Sequence, residues 1–153
     1  MLRNFAGVFL GLIVAMCIVA LVEIIGMVII PPHPDLISSD KAKQAAAFAA
    51  LPAGSFGFVL AAWGLGSFVG SFVAAYICTG RRLMLAGIIA SFLWVAALVN
   101  LITIPGPLWF GISGLVLIPA GFWVGSVLAV LLRPTPRTGP QPYDMREKGM
   151  ACK

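Results

Sequence analysis

The chain has 153 residues, of which 61% are hydrophobic and only 10% are charged. Soluble domains carry about 25% charged residues, so this composition excludes a water-soluble globular domain and indicates a membrane protein. The net charge of +5 does not indicate a nucleic-acid partner, because the basic residues flank apolar segments instead of forming a stripe.

Four stretches are long enough to cross a bilayer, whose hydrocarbon core of about 30 Å needs roughly 20 apolar residues in a helix. The sequence therefore predicts an all-α, four-helix transmembrane bundle within residues 1–132. Residues 133–153 contain four prolines and no apolar period, which predicts a disordered cytoplasmic tail. The four predicted spans are residues 5–30, 56–79, 83–104 and 108–132.

The loop of residues 31–55, between the first two spans, contains a predicted short helix. "SSD" at residues 38–40 can cap a helix at its amino end, and "KAKQAAAFAAL" has high helix propensity. Pro52 ends this stretch, because proline cannot continue a helix.

The Lys and Arg residues predict the orientation of the chain. Eight of them lie on the side of the two termini and of "GRR", and only Lys41 and Lys43 lie on the other side. This bias predicts that both termini are cytoplasmic and that the loop of residues 31–55 is external.

Two pairs of short stretches indicate an internal repeat. Each pair occupies matching positions in successive hairpins, which predicts two related hairpins that cross the membrane in the same direction. Glu23 and Asn100 are then equivalent positions. The pairs are "ALVE" at residues 20–23 with "ALVN" at 97–100, and "GSFVA" at 70–74 with "GSVLA" at 125–129.

Small residues four positions apart predict where the helices pack, because they allow two backbones to approach closely in lipid. Such a pattern favours folding of this chain, although an interface with a partner is the alternative. The residues are Gly66, Gly70 and Ala74 in the second span, and Gly121 and Gly125 in the fourth. Pro119 is expected to kink the fourth span and to free the carbonyl of Leu115.

A predicted intramembrane polar site contains Glu23, Asn100 and Trp63. At about 1.5 Å per residue, Glu23 lies about 10 Å below the outer helix end, Trp63 about 10 Å and Asn100 about 6 Å. The three side chains can therefore meet in the outer half of the membrane. One interpretation is a protonated Glu23 that hydrogen-bonds to Asn100, and the other is a proton or cation site.

Catalytic signatures are absent from the sequence. The chain has one histidine, His33, and no metal-ligand spacing, phosphate loop, or Ser or Cys paired with a base. We therefore expect no enzyme activity, no cofactor and no metal site.

"VEIIG" at residues 22–26 resembles the first-helix motif of the small multidrug resistance exporters. In those proteins a membrane carboxylate binds protons and cationic drugs, which implies such a role for Glu23. The exporters are shorter and have tight loops, so the long external loop and the strong charge bias depart from their pattern.

A wider resemblance, to a family of uncharacterised bacterial four-helix integral membrane proteins, covers most of residues 8–130. This resemblance implies four spans in the inner membrane, but it does not indicate any particular activity. The stretches that carry it are "VEIIGMVIIPPHP", "ALPAG", "AAWGLGSFVGSFVAAYI", "NLITIPGPLWF" and "IPAGFWVGS".

Together these patterns favour a non-enzymatic packing or accessory component of a membrane assembly. Its expected partners are the lipid bilayer and either a second copy or another membrane protein. The alternative is a small proton- or cation-coupled transporter that uses Glu23.

Overall fold

The computed structural model describes residues 2–32, 34–37, 40–103 and 106–133. Every regular element in these ranges is helical, and α1, α3, α4 and α5 are long and apolar enough to cross a membrane. The predicted all-α, four-helix transmembrane fold is confirmed, and the chain is a small multi-pass membrane protein. The elements are α1 (Leu2–Ile29), α2 (Lys41–Ala49), α3 (Ala53–Ile77), α4 (Arg82–Thr103) and α5 (Leu108–Leu132), with a 3₁₀ turn at Pro34–Ile37.

The predictions for His33 and for the tail from residue 134 onward concern residues outside the described ranges. The division into a membrane domain and a disordered tail therefore stays a prediction.

Two of the spans begin or end two or three residues from the predicted bounds, and these differences have local causes. α1 begins at Leu2, because the polar side chains of Arg3 and Asn4 bond to the end of α3 and do not interrupt the helix. α3 begins directly after Pro52, whose φ of −64° suits a helix start. α3 ends before Cys78, which is extended with ψ 156°.

The predicted short helix of the loop at residues 31–55 is present as α2. The Asp40 carboxylate accepts a hydrogen bond from the backbone N–H of Ala42 at 3.0 Å, which is a typical amino-terminal cap. At the other end, the N–H of Ala50 donates to the carbonyl of Ala46 at 3.1 Å. Polar capping and alanine-rich composition therefore define this helix locally.

α3 is the central helix of the bundle. It packs against α1 on one side and α5 on another, while α1 and α5 do not contact each other. α4 contacts α3 and α5, and touches α1 less extensively. Antiparallel packing brings Gly7 of α1 beside Ile77 of α3, and parallel packing brings Gly114 of α5 beside Trp63.

The two ends of the bundle differ in composition. We call one the arginine end, where α1 and α4 begin, α3 and α5 end, and Arg3, Arg81, Arg82 and Arg133 lie. The other is the α2 end, where α2 connects the end of α1 to the start of α3.

The two halves of the predicted repeat have different neighbours in the fold. A Cβ added to Gly70 would lie 2.9 Å from the carbonyl oxygen of Gly11 in α1. A Cβ on Gly125, the matching residue, would collide with the carbonyl of Phe68 in α3 and not with α4. At these two matching glycines, the sequence repeat is therefore not accompanied by the same neighbouring helix.

Candidate functional site

Glu23 lies on α1 at the border of the contact with α3. Residues three and four apart share a helix face, and Val19 and Gly26, which flank Glu23 at this spacing, both meet α3. A methyl of Val19 would lie 2.6 Å from a Cβ on Gly66, and a Cβ on Gly26 would lie 2.9 Å from Phe58. The Glu23 side chain is partly buried and makes no hydrogen bond or ion pair in the structure.

The other two residues of the predicted polar site have different surroundings. Asn100 is partly buried near the end of α4, and its amide makes no hydrogen bond. Trp63 is 6% exposed, with its ring centroid 5.4 Å from that of Phe110 in α5. No hydrogen bond joins Glu23, Asn100 and Trp63, so the described structure does not contain the predicted polar contact.

Trp63 belongs instead to an aromatic cluster at the α2 end of the α3–α5 interface. Phe56 lies 5.1 Å from Phe110 and 5.9 Å from Trp109, measured between ring centroids. Tilted and edge-on rings at these distances attract each other beyond their burial of apolar area. The indole of Trp63 therefore has a packing role in this structure.

Gly66, Gly70 and Ala74 form the face of α3 that meets α1. All three are buried. A Cβ on Gly66 would lie 3.1 Å from the carbonyl oxygen of Ala15, and one on Gly70 would lie 2.6 Å from the Ala15 Cβ. The two backbones approach so closely that neither glycine has room for a side chain.

Gly121 and Gly125 of α5 meet a second face of α3. A Cβ on Gly121 would lie 2.6 Å from the carbonyl oxygen of Gly64, while Gly125 lies directly against the backbone of Phe68. α3 therefore carries two faces of small residues, one that packs against α1 and one that packs against α5. Only the first is predicted by small residues four positions apart in the sequence of α3.

Three serines lie buried in the bundle, each with 0% exposure. The hydroxyl of Ser67 donates to the carbonyl oxygen of Ile118 in α5 at 2.7 Å. The hydroxyls of Ser71 and Ser126 have no hydrogen-bond partner among the described residues. One serine therefore links α3 to α5, and the other two contribute only their small volume.

Pro119 interrupts the hydrogen bonding of α5, as the sequence predicts. Proline has no N–H, which leaves the carbonyl four residues earlier without its helical donor. The indole Nε1 of Trp94 in α4 donates to this carbonyl, that of Leu115, at 3.3 Å. Pro119 predicts the free carbonyl from the sequence alone. The donor is not predictable in this way, because no sequence pattern indicates the partner of a tryptophan in an apolar span.

The arginine end joins α1 and α5 to the last turn of α3. The Nε of Arg3 donates to the carbonyl oxygen of Ile77 at 3.1 Å, and Nη1 of Arg133 donates to that of Tyr76 at 2.7 Å. The last carbonyls of a helix lack intrahelical donors and carry partial negative charge. Arginines from two other helices therefore cap α3.

Two further contacts strengthen the arginine end. Asn4 exchanges hydrogen bonds with Thr79, since its Nδ2 donates to the Thr79 carbonyl at 3.1 Å and its Oδ1 accepts from the Thr79 N–H at 2.9 Å. The guanidinium of Arg133 lies 5.5 Å from the ring centroid of Tyr76, within the range of a cation–π contact. Of these four residues, only Arg133 contributes to the charge bias of the sequence, and no sequence pattern pairs Asn4 with Thr79.

Arg82 is the buried member of the arginine end. It is 6% exposed, and its Nη1 donates to the backbone carbonyl of Arg133, so its side chain extends from the start of α4 to the end of α5. Its Nε is buried without a hydrogen-bond partner among the described residues.

An open groove of about 480 Å³ lies at the α2 end. The groove lies between α2 and the residues at the end of α1. Its lining is mainly apolar and includes one positively charged side chain, that of Lys43. Its lining residues are Ile30, Pro31, Lys43, Ala46, Ala47, Ala50, Leu51 and Pro52.

In the part of the chain that the structure describes, no three His, Cys, Asp or Glu residues form a group that could hold a metal ion. No family model, curated protein or solved structure matches the chain. Its function must therefore be inferred from the geometry of its own residues.

Proposed function

We propose that the protein is a non-enzymatic component of a membrane assembly, and that a partner helix contacts α1 beside Glu23. The partner is a second copy of the chain or another membrane protein that supplies a hydrogen-bond donor within the bilayer. The proposed location is the inner membrane of a bacterium, with both termini in the cytoplasm.

The observation that carries this proposal is the environment of Glu23. The carboxyl group lies within a spanning helix, is partly buried, and has no hydrogen-bond partner among the described residues. Lipid offers no donor, and polar groups in the hydrocarbon region are costly unless they are paired. A donor from a partner helix would remove this cost.

The rest of α1 is compatible with such a contact. Its buried residues are all small, and most of its large apolar side chains are exposed. Met27, one turn after Glu23, is 56% exposed, so a neighbouring helix can reach the same side of α1.

The alternative function is a proton- or cation-coupled transporter, and the unpaired carboxyl of Glu23 also favours it. The close packing of α3 argues against a path through the interfaces inside one chain. Gly70 of α3 lies against the backbone of α1, and Gly121 of α5 lies against the backbone of α3, so no room for an ion exists at these two points. A transport path would therefore have to avoid the α1–α3 and α3–α5 contacts there.

A photoreactive residue in place of Met27 tests the proposed contact in native membranes. We expect a specific adduct that persists with Glu23→Gln, which keeps a donor and an acceptor, and that is lost with Glu23→Leu. An adduct of twice the chain mass identifies a second copy. The matched control is Val28, which is 76% exposed but lies about 100° further around the helix.

Three results would contradict the docking proposal: no adduct from Met27, an adduct only from Val28, or an adduct unchanged by Glu23→Leu. The transporter alternative predicts a different result for Glu23→Gln. That variant would fold normally but abolish proton flux into liposomes that contain the purified protein.

A further inference from the structure

Among the described residues, the positive charge of the arginine end is not balanced by acidic side chains. Four guanidinium groups lie there, on Arg3, Arg81, Arg82 and Arg133. The acidic residues in the described ranges are Glu23, Asp35 and Asp40, and all three belong to the opposite half of the bundle. No carboxylate of the described chain therefore neutralises the arginine end.

The same end has more hydrogen-bond donors than acceptors. A guanidinium presents five N–H donors, yet Arg3, Arg82 and Arg133 each donate from one nitrogen to one backbone carbonyl. The side chain of Arg81 is exposed and makes no hydrogen bond to the described residues. Most of these donors therefore have no acceptor among the described residues, and those of the exposed Arg3 and Arg81 are accessible to a ligand that carries several oxygen acceptors.

Arg82 is the residue that water cannot easily satisfy. It is 6% exposed and its Nε has no partner among the described residues, although a buried charge is stable only when it is paired. Arg82 also begins α4, and the first-turn N–H groups and dipole of that helix add to the positive potential.

The depth of these groups in the membrane restricts the class of ligand. Gly80 and Arg81 connect two spanning helices, so the arginine end lies at the level of the lipid headgroups. Phosphate is the anion available at that level, and its oxygens match the planar fork of an arginine.

We propose that the arginine end is a binding site for a phosphate group, with Arg82 and Arg81 as its principal ligands. The phosphate belongs either to the headgroup of an anionic lipid or to a free phosphate ion. Its binding supplies the missing negative charge between the start of α4 and the end of α5, and so strengthens the junction of the four spanning helices.

Titration of the purified full-length protein in a neutral detergent tests this site, with binding measured by native mass spectrometry. The probes are phosphatidylglycerol, phosphatidylcholine as the zwitterionic reference, and inorganic phosphate. We expect saturable binding of one phosphatidylglycerol molecule, weakened about tenfold by Arg82→Gln, because a charge-assisted hydrogen bond contributes roughly this much. Competition by inorganic phosphate would identify the free ion as a ligand of the same site.

Arg81→Gln and Lys43→Gln are the deciding variants. Arg81 is exposed and unbonded, so its replacement should weaken phosphatidylglycerol binding without affecting the fold, even if Arg82→Gln unfolds the protein. Lys43→Gln removes the same charge from the α2 end and should leave binding unchanged. The proposal is overturned if Arg81→Gln has no effect, if Lys43→Gln weakens binding equally, or if phosphatidylcholine binds as tightly.

Discussion

At the scale of single residues, the available space decides which glycines are essential. A Cβ on Gly70 would lie 2.6 Å from the Cβ of Ala15 and 2.9 Å from the Gly11 carbonyl oxygen, whereas a Cβ on Gly57 would meet nothing within 4 Å. We expect Gly70→Ala to lower the free energy of unfolding by about 1–3 kcal/mol, the usual cost of overpacking. Gly57→Ala should be neutral or slightly stabilising, because alanine favours a helix. Equal loss of stability in SDS-induced unfolding would contradict this assignment.

The three buried serines give a second test at the same scale. Ser67→Ala should lower the free energy of unfolding by about 0.6 kcal/mol and at most about 1.7 kcal/mol, as measured for hydrogen bonds in membranes, because it removes the bond to Ile118. Ser71→Ala and Ser126→Ala remove hydroxyls that have no partner, so they should be neutral or stabilising. The melting temperatures of the three variants in detergent check this order, and a larger loss at Ser71 than at Ser67 would refute it.

At the scale of the element, α5 depends on α4 where its own hydrogen bonding fails. Pro119 leaves the Leu115 carbonyl without a helical donor, and the Trp94 indole occupies that position. α4 and α5 are thus joined at the point where α5 lacks one of its own backbone hydrogen bonds. The link also explains how a proline is tolerated inside a spanning helix, where lipid cannot satisfy a free carbonyl.

A double-mutant cycle tests the dependence of α5 on α4. Trp94→Phe should cost about 0.6 to 1.7 kcal/mol in the wild-type background, because the Leu115 carbonyl loses its donor. The cost should fall in the Pro119→Ala background, where the restored N–H at position 119 can donate to the same carbonyl. The loss of ring volume is the same in both backgrounds and cancels in the cycle. Identical costs in the two unfolding experiments would show that the hydrogen bond does not contribute.

At the scale of the whole molecule, charge and topology are linked. The end of the bundle where α1 and α4 begin carries Arg3, Arg81, Arg82 and Arg133, and the α2 end carries Lys41 and Lys43. Positive residues near spanning helices are retained in the cytoplasm. Reporter fusions after Arg82 and within the tail should therefore read cytoplasmic, while a fusion at Ala47 should read external. A cytoplasmic reading at Ala47 would reverse the proposed orientation.

Local physics explains how much of the fold the sequence predicts. The four spans follow from helix length and apolar composition, because a membrane helix satisfies its backbone hydrogen bonds within its own segment. Asp40 and Pro52 mark the start of α2 and of α3 through their own capping and ring geometry. The free carbonyl of Leu115 follows equally directly from Pro119.

Depth in the membrane predicts the positions of Glu23, Asn100 and Trp63 less completely than these local signals predict the helices. Depth along a helix is set by residue number, but the direction of a side chain around the bundle depends on which helices are neighbours. Trp63 turns toward Phe110 in α5, and Glu23 lies at the border of α1 and α3. Equal depth therefore does not by itself produce a hydrogen bond among the three side chains.

The sequence by itself determined the number of spans, the short helix between the first two, the charge difference between the ends, and the residues small enough for close packing. Only the tertiary structure decided that α3 is central, that Gly125 packs against α3 instead of α4, and that Arg82 is buried at the arginine end. The physical reason is that all four spans are equally apolar in lipid, so hydrophobicity does not select the partners of a helix. Partner choice depends on the fit of small faces and on single hydrogen bonds, which form only between residues far apart in the chain.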